Sequence, residues 1–288
     1  MVYRFGSGTF QYELVEGWGA LPEGWEFRQV AGVACDSHDN VYAFHRGMHP
    51  VIVFNREGTV IRSWGDGVLA EAHGMFIDTA DNLFLVDRGA HTIEKYAPDG
   101  SHALRIGERY QCAPKFSDRP FNLPQGVATA PNGDIYVADG KCNNAVHRFT
   151  AAGGFVQSWG SAGTAPGQFN EPHGIWVLPN GEVMVADRGN DRIQFFTPEG
   201  QFTHEWTNVE HPDHIYVAPD GTVYLTEIDS QSVVILAPNG RELCRWGGGK
   251  SHDPGLFWGA HGIWVDSHND LYVSEVQKGR RVQKFRRV

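Results

Sequence analysis

Gly174-Ile175-Trp176-Val177, Pro179-Asn180-Gly181, Glu182-Val183-Met184-Val185-Ala186-Asp187-Arg188, Arg192-Ile193-Gln194-Phe195-Phe196, Pro198-Glu199-Gly200 and Gln201-Phe202-Thr203-His204-Glu205-Trp206 follow one another within residues 174–206. They read as four short strands separated by turns. Asn-Gly and Asp-Gly between apolar runs are the strongest short-range signal for a hairpin. The same grammar recurs along the chain, with first turns at Asp36-Ser37-His38-Asp39-Asn40, Asp81-Asn82, Asn132-Gly133, Asp220-Gly221 and Asn269-Asp270. Six four-stranded units of this length predict an all-β fold, a six-bladed β-propeller with four strands per blade, formed by residues 1–288 as a single domain.

The two ends of the repeat fit each other. The last unit stops after its third strand, Arg281-Val282-Gln283-Lys284-Phe285, whereas Phe10 to Gly19 belongs to no unit and matches outer strands such as Phe155 to Gly160. The N-terminal strand is therefore expected to complete the last blade and close the ring, leaving no open flank. Trp18, Trp64, Trp159, Trp206 and Trp246 end outer strands. Rings that large are expected to pack between blades rather than form a ligand cage.

Composition limits the function. With 41% hydrophobic and 20% charged residues the chain can bury a core, and a net charge of -10 argues against nucleic acid or anionic lipid as partner. Four cysteines, Cys35, Cys112, Cys142 and Cys244, are too scattered for a disulfide framework and read as free thiols. No charged head followed by an apolar run opens the chain, and no later stretch resembles a membrane span. A cytoplasmic location is the resulting expectation.

One position of the repeat carries chemistry. At the start of the first strand the six copies read Ala31, His73, Gln125, His173, Asp213 and His261, spaced 42, 52, 48, 40 and 48 residues apart. Histidine takes every second place. In a six-bladed ring alternate blades lie about 120° apart, so three such imidazoles are expected to face one another and hold a metal ion. Imidazole ligands about 2.0–2.1 Å from zinc, with a position left open, define a catalytic type of site. Another divalent transition metal would also suit imidazole. Gln125 and Asp213 could orient water or ligand, or serve structural hydrogen bonds. A second series ends the second strand: His45-Arg46, Asp87-Arg88, Asp139-Gly140, Asp187-Arg188, Glu227-Ile228 and Glu275-Val276. The acidic members read as turn or inter-blade residues, and the arginines as candidates for gripping a carboxylate.

Phe44-His45-Arg46-Gly47, Asp139-Gly140-Lys141-Cys142-Asn143, Val185-Ala186-Asp187-Arg188 and Arg192-Ile193-Gln194, with the three histidines, carry a resemblance over most of the chain. The sequence resembles the catalytic core of peptidyl-α-hydroxyglycine α-amidating lyase, within the NHL-repeat propellers. The resemblance implies zinc at His73, His173 and His261, and active-site arginines at Arg46 and Arg188. The reaction it implies splits an α-hydroxyglycine C–N bond into an amide and glyoxylate. Where that family carries a tyrosine proposed as the general base, this chain has Lys141, either a base or a cation for an anionic substrate. Gly262 replaces the family's calcium-binding aspartate, so calcium is not expected, and Ala260 replaces a methionine. The family partner of Cys142 aligns near Asn122, so the family disulfide is not expected unless Cys112 reaches Cys142.

The expected function is therefore a metal-dependent carbon–nitrogen lyase with catalytic Lys141, Arg46 and Arg188, acting on a small-molecule or peptide substrate that bears a carboxylate. A propeller hydrolase of lactonase type and a non-enzymatic NHL-repeat binding protein are the alternatives.

Overall fold

The computed structural model describes residues 2–117 and 119–288. Among them the only helical element is a single turn, Arg188–Asn190; the rest of the regular structure is antiparallel strand. The strands form six sheets, the blades of an all-β, six-bladed β-propeller. Blade one comprises Val30–Cys35, Val41–His45, Val51–Phe54 and Val60–Trp64, and blade two Ala72–Ile77, Leu83–Asp87, Thr92–Tyr96 and His102–Ile106. Gly126–Thr129, Ile135–Asp139, Ala145–Phe149 and Phe155–Trp159 make blade three; Pro172–Val177, Val183–Asp187, Arg192–Phe196 and Phe202–Trp206 make blade four. Blade five is Pro212–Val217, Val223–Glu227, Ser232–Leu236 and Glu242–Gly247. Blade six is Ala260–Val265, Leu271–Glu275 and Val282–Arg287, to which the N-terminal strands Phe10–Leu14 and Arg4–Ser7 are added.

Two compact units divide the chain. One is the chain up to Ala72 with Ile215–Val288; the other is His73–His214. The boundary falls inside the first strand of blade five, so Asp213 and His214 belong with blades two to four.

The turns explain why the blades repeat. After the first strand of blade four, Leu178 N–H donates to the Glu182 carbonyl and Gly181 N–H to the Leu178 carbonyl, both at 2.8 Å. This places Gly181 at φ +89°, a conformation that costs glycine little. Where a copy lacks the glycine, Asp39, Asp81 and Asn269 occupy the same left-handed region at φ 59°, 59° and 65°. Asp and Asn tolerate it best among the other residues.

Burial falls along each blade. Val183–Asp187 and Arg192–Phe196 are buried throughout, whereas Phe202–Trp206 has only its two ends partly covered. Val183-Met184-Val185-Ala186 accordingly reads as a continuous apolar run, the third strand buries Arg192 and Gln194 among its apolar residues, and the fourth is mixed. Of the five tryptophans Trp18, Trp64, Trp159, Trp206 and Trp246, three pack across blades: Trp18 on Phe54 and Tyr272, Trp159 on Phe196, and Trp246 on Tyr12 and Phe285. Trp64 and Trp206 instead lie against Tyr42 and Phe195 of their own blades.

The N-terminal strand completes blade six as expected, with Tyr12 opposite Arg287 and Leu14 opposite Phe285. Arg4–Ser7 folds back on it as a fifth strand, Arg4 opposite Glu13. Nothing in Arg4-Phe5-Gly6-Ser7 alternates strongly enough to announce that strand.

Close approach of neighbouring blades is fixed by the glycine that follows the repeat position. A Cβ on Gly126 would stand 2.3 Å from the carbonyl oxygen of His173. The blades would have to part to admit it, and overpacking of this kind costs about 1–3 kcal/mol. Gly126→Ala is expected to fall at the upper end of that range, read as a lowered midpoint in urea. An unchanged midpoint would mean that the blades yield freely there.

Candidate metal centre

The repeat position owes its orientation to a bulge. In blade four Pro172 pairs with Asp187 and Ile175 with Val185, so His173 and Gly174 share one opposite residue. Blade six does the same between Ala260 and Ile263, which encloses His261. A bulge bends the strand and re-aims the side chain on it. His73, His173 and His261 are all buried.

Each of these imidazoles donates to the carbonyl of the equivalent residue one blade on. His73 Nδ1 lies 2.9 Å from the Gln125 oxygen, His173 Nδ1 3.1 Å from that of Asp213, and His261 Nδ1 2.6 Å from that of Ala31. A carbonyl can only accept, so Nδ1 carries the hydrogen, and in the neutral form of such a ring the lone pair is at Nε2. This is how histidine ligands are normally oriented by their surroundings. The donor set therefore fits a metal ion. The His73 and His173 ring centres are 4.8 Å apart. Two imidazoles sharing one ion through Nε2 would have their centres about 4.5–5.5 Å apart, given a metal–nitrogen distance of about 2.0–2.1 Å.

Charge is layered around His173. Its Nδ1 also lies 3.0 Å from Asp213 Oδ1, to which Arg188 Nη1 donates at 3.1 Å. Arg188 Nη2 donates to Glu171 Oε1 at 3.3 Å, and Lys141 Nζ to the same oxygen at 2.7 Å. Burial alone would raise the Glu171 carboxyl, but Arg188 and Lys141 outweigh it and hold it below the usual carboxylate range. Both Gln125 amide atoms are buried and lack a hydrogen-bond partner among the described residues, a cost of about 1–3 kcal/mol if nothing polar fills the space.

The structure thus brings His73, His173 and Arg188 together, with Lys141 joined to them through Glu171. The Lys141 side chain is 46% exposed and paired with the Glu171 carboxylate at 2.7 Å. Arg188 is engaged by two carboxylates, Asp213 and Glu171. In the other unit, Arg46 donates to Gln29 Oε1 at 2.6 Å and to the Ala72 carbonyl at 3.0 Å, with Glu71 at 3.7 Å. Thr226 donates to the carbonyl of His261. A Cβ on Gly262 would meet Ser274 Oγ at 2.6 Å, so this backbone leaves little room for an acidic side chain there. All four cysteines are free thiols.

The acidic series is structural. Asp187 accepts from Asn170 N–H at 2.7 Å, Arg192 Nε at 2.7 Å and Asn190 Nδ2 at 2.8 Å. Asp139 accepts from Asn122 N–H and Asn143 Nδ2 in the same way. Each ties the incoming loop to its blade. Asp213, offered by the sequence for orienting water or ligand or for structural hydrogen bonds, supports His173 through its carboxylate, whereas His214 escaped the sequence reading. The His214 ring is 5.5 Å from that of His173. Burial pushes His214 down to about 3.

Comparison with known proteins places these features. The NHL repeat family matches residues 121–149 and 169–196. NHL repeat-containing protein 3 of Homo sapiens is 30% identical over 250 residues, which is 80% of this chain and 71% of that protein. The chain belongs to the NHL-repeat proteins. Among amidating lyases, peptidyl-alpha-hydroxyglycine alpha-amidating lyase 1 of Drosophila melanogaster is 31% identical over 194 residues, 63% of this NHL-repeat chain. The chain spans 35% of that lyase's length. A gluconolactonase from Xanthomonas campestris superposes with a TM-score of 0.70 at 18% identity, covering 96% of this chain and 89% of its own. At that identity the likeness speaks for the fold. Among the described residues of this NHL-repeat protein, no helix is long and apolar enough to cross a membrane.

Proposed function

We propose that this NHL-repeat protein is a metal-dependent carbon–nitrogen lyase that cleaves an α-hydroxyglycine-like or carbinolamide substrate to an amide and glyoxylate or a related carbonyl product. Its metal ligands would be His73, His173 and His261. The observation that carries the reading is the shared Nδ1-to-carbonyl hydrogen bond, which presents Nε2 in each of the three. A divalent ion there, zinc or another transition metal, would supply Lewis acidity toward the substrate hydroxyl.

The chain's own residues supply the rest. Cleavage breaks the C–N bond while the hydroxyl loses its proton and the departing amide nitrogen gains one, with no water consumed. We assign the proton traffic to Lys141 and Glu171, hydrogen-bonded at 2.7 Å, because together they can take up one proton and release another. Arg46 and Arg188 are assigned to the substrate carboxylate. Arg188 reaches it as a shared donor, since Asp213 and Glu171 already hold the guanidinium plane. Gln125, with its amide atoms unsatisfied, suits the polar part of the substrate or its water.

Metal analysis of the purified chain, followed by assay of α-hydroxyglycine derivatives for glyoxylate, tests the proposal. The expected result is about one divalent ion per chain, with glyoxylate and the amide released in equal amounts. Cleavage of lactones or esters in place of the α-hydroxyglycine derivatives would replace the lyase by a hydrolase, and absence of metal would remove the enzyme reading.

A further inference from the structure

The repeat position is followed by glycine in five of six copies, Gly32, Gly74, Gly126, Gly174 and Gly262, and by His214 in the fifth. The glycines answer a need for space. A Cβ would stand 2.4 Å from the Gln125 oxygen at Gly74, 2.3 Å from the His173 oxygen at Gly126 and 2.6 Å from Ser274 Oγ at Gly262. Blade five departs from a packing rule that the other copies keep, and it does so with an imidazole.

That imidazole sits among the candidate ligands of its own unit. Its ring lies 5.5 Å from the ring of His173. A ligand nitrogen of His214 and one of His73 are within 4.8 Å of each other. The His73 and His173 rings are 4.8 Å apart, a spacing that two imidazoles on one ion would show. His214 is only 9% exposed, so its ring is largely withdrawn from bulk water.

We infer that His214 is a further imidazole ligand of the metal centre. The inference rests on the proposed metal site, to which it adds a donor. Four imidazoles would close a tetrahedral zinc site, so a substrate would have to enter as a fifth ligand. Ions that accept five or six ligands would keep room for it.

The test uses the full chain, freed of metal by chelator and reloaded with Co(II) alone, whose visible absorption reports coordination number. Affinity is measured by chelator competition for wild type, His214→Phe and His214→Gly. Phenylalanine keeps the bulk of the ring without its nitrogens; glycine restores what the other blades carry. Both are expected to weaken Co(II) binding by more than the about 10–100-fold typical of losing a residue behind a ligand, and to change the visible bands. Added imidazole should restore the wild-type bands in His214→Gly, which filling a gap in the packing could not do. Wild-type affinity and bands in either folded variant would overturn the inference while leaving the metal site standing. Failure of wild type to bind Co(II) or zinc would overturn both.

Discussion

On the proposed mechanism His173→Ala is expected to abolish metal binding and to lower kcat/KM toward an α-hydroxyglycine derivative by at least about a thousandfold, or about 4 kcal/mol of transition-state stabilisation. The size follows from the position of this side chain. It is fully buried, its Nδ1 is held by both the carbonyl and the carboxylate of Asp213, and its ring is adjacent to His73 and His214. Few side chains in the molecule are so fully oriented. Removing it leaves a gap beside Asp213, whose Oδ1 still accepts from Arg188, so the fold should survive. Circular dichroism and a cooperative thermal transition would verify that. A folded His173→Ala protein with full metal content and turnover would sink the proposed mechanism.

What could be read from the sequence was what repeats. The turns announced themselves because Asn-Gly and Asp-Gly specify backbone geometry locally, without help from the rest of the fold. The histidine series was visible for the same reason: a register counted from those turns exposes any residue that alternates. Ala31 and Gln125 in intervening copies removed the explanation that the blade itself needs imidazole. The partners of that series were not visible. Arg188 meets Glu171 and Asp213, 17 and 25 residues away, and nothing local in the chain specifies either pairing. The sequence therefore offered Arg188 as a free grip for a carboxylate, while the fold gives it two carboxylates of its own. His214 was hidden differently. It lies one residue outside the counted register, among 14 histidines, and only reading the glycine after each repeat position brings it out. Arg4–Ser7 was missed because a two-strand addition at the end of a sheet requires no repeat.

Removing residues 1 to 20 is expected to destroy cooperative folding. Tyr12 is fully buried in that segment, packed on Trp246 at 5.5 Å, and Arg287 donates to its hydroxyl. Trp18 fits between Phe54 and Tyr272, and its Nε1 donates to the Arg56 carbonyl at 2.9 Å. Truncating one such aromatic costs about 3–5 kcal/mol. Two together approach the whole stability of an ordinary domain, about 5–15 kcal/mol. The deletion also unpairs Val282–Arg287, which hydrogen-bonds to Phe10–Leu14 along one side, and exposes an edge able to recruit other chains. The truncated protein should aggregate or lack a sharp unfolding transition. Trp18→Ala alone should remain folded with a loss of about 3–5 kcal/mol in urea. A peptide of residues 1 to 20 added in trans should partly restore the truncated form, because strand addition supplies the missing backbone partners. If the deletion leaves the unfolding midpoint within a few degrees of wild type, the N-terminal strand is an ornament of blade six and the remaining three strands suffice to hold it.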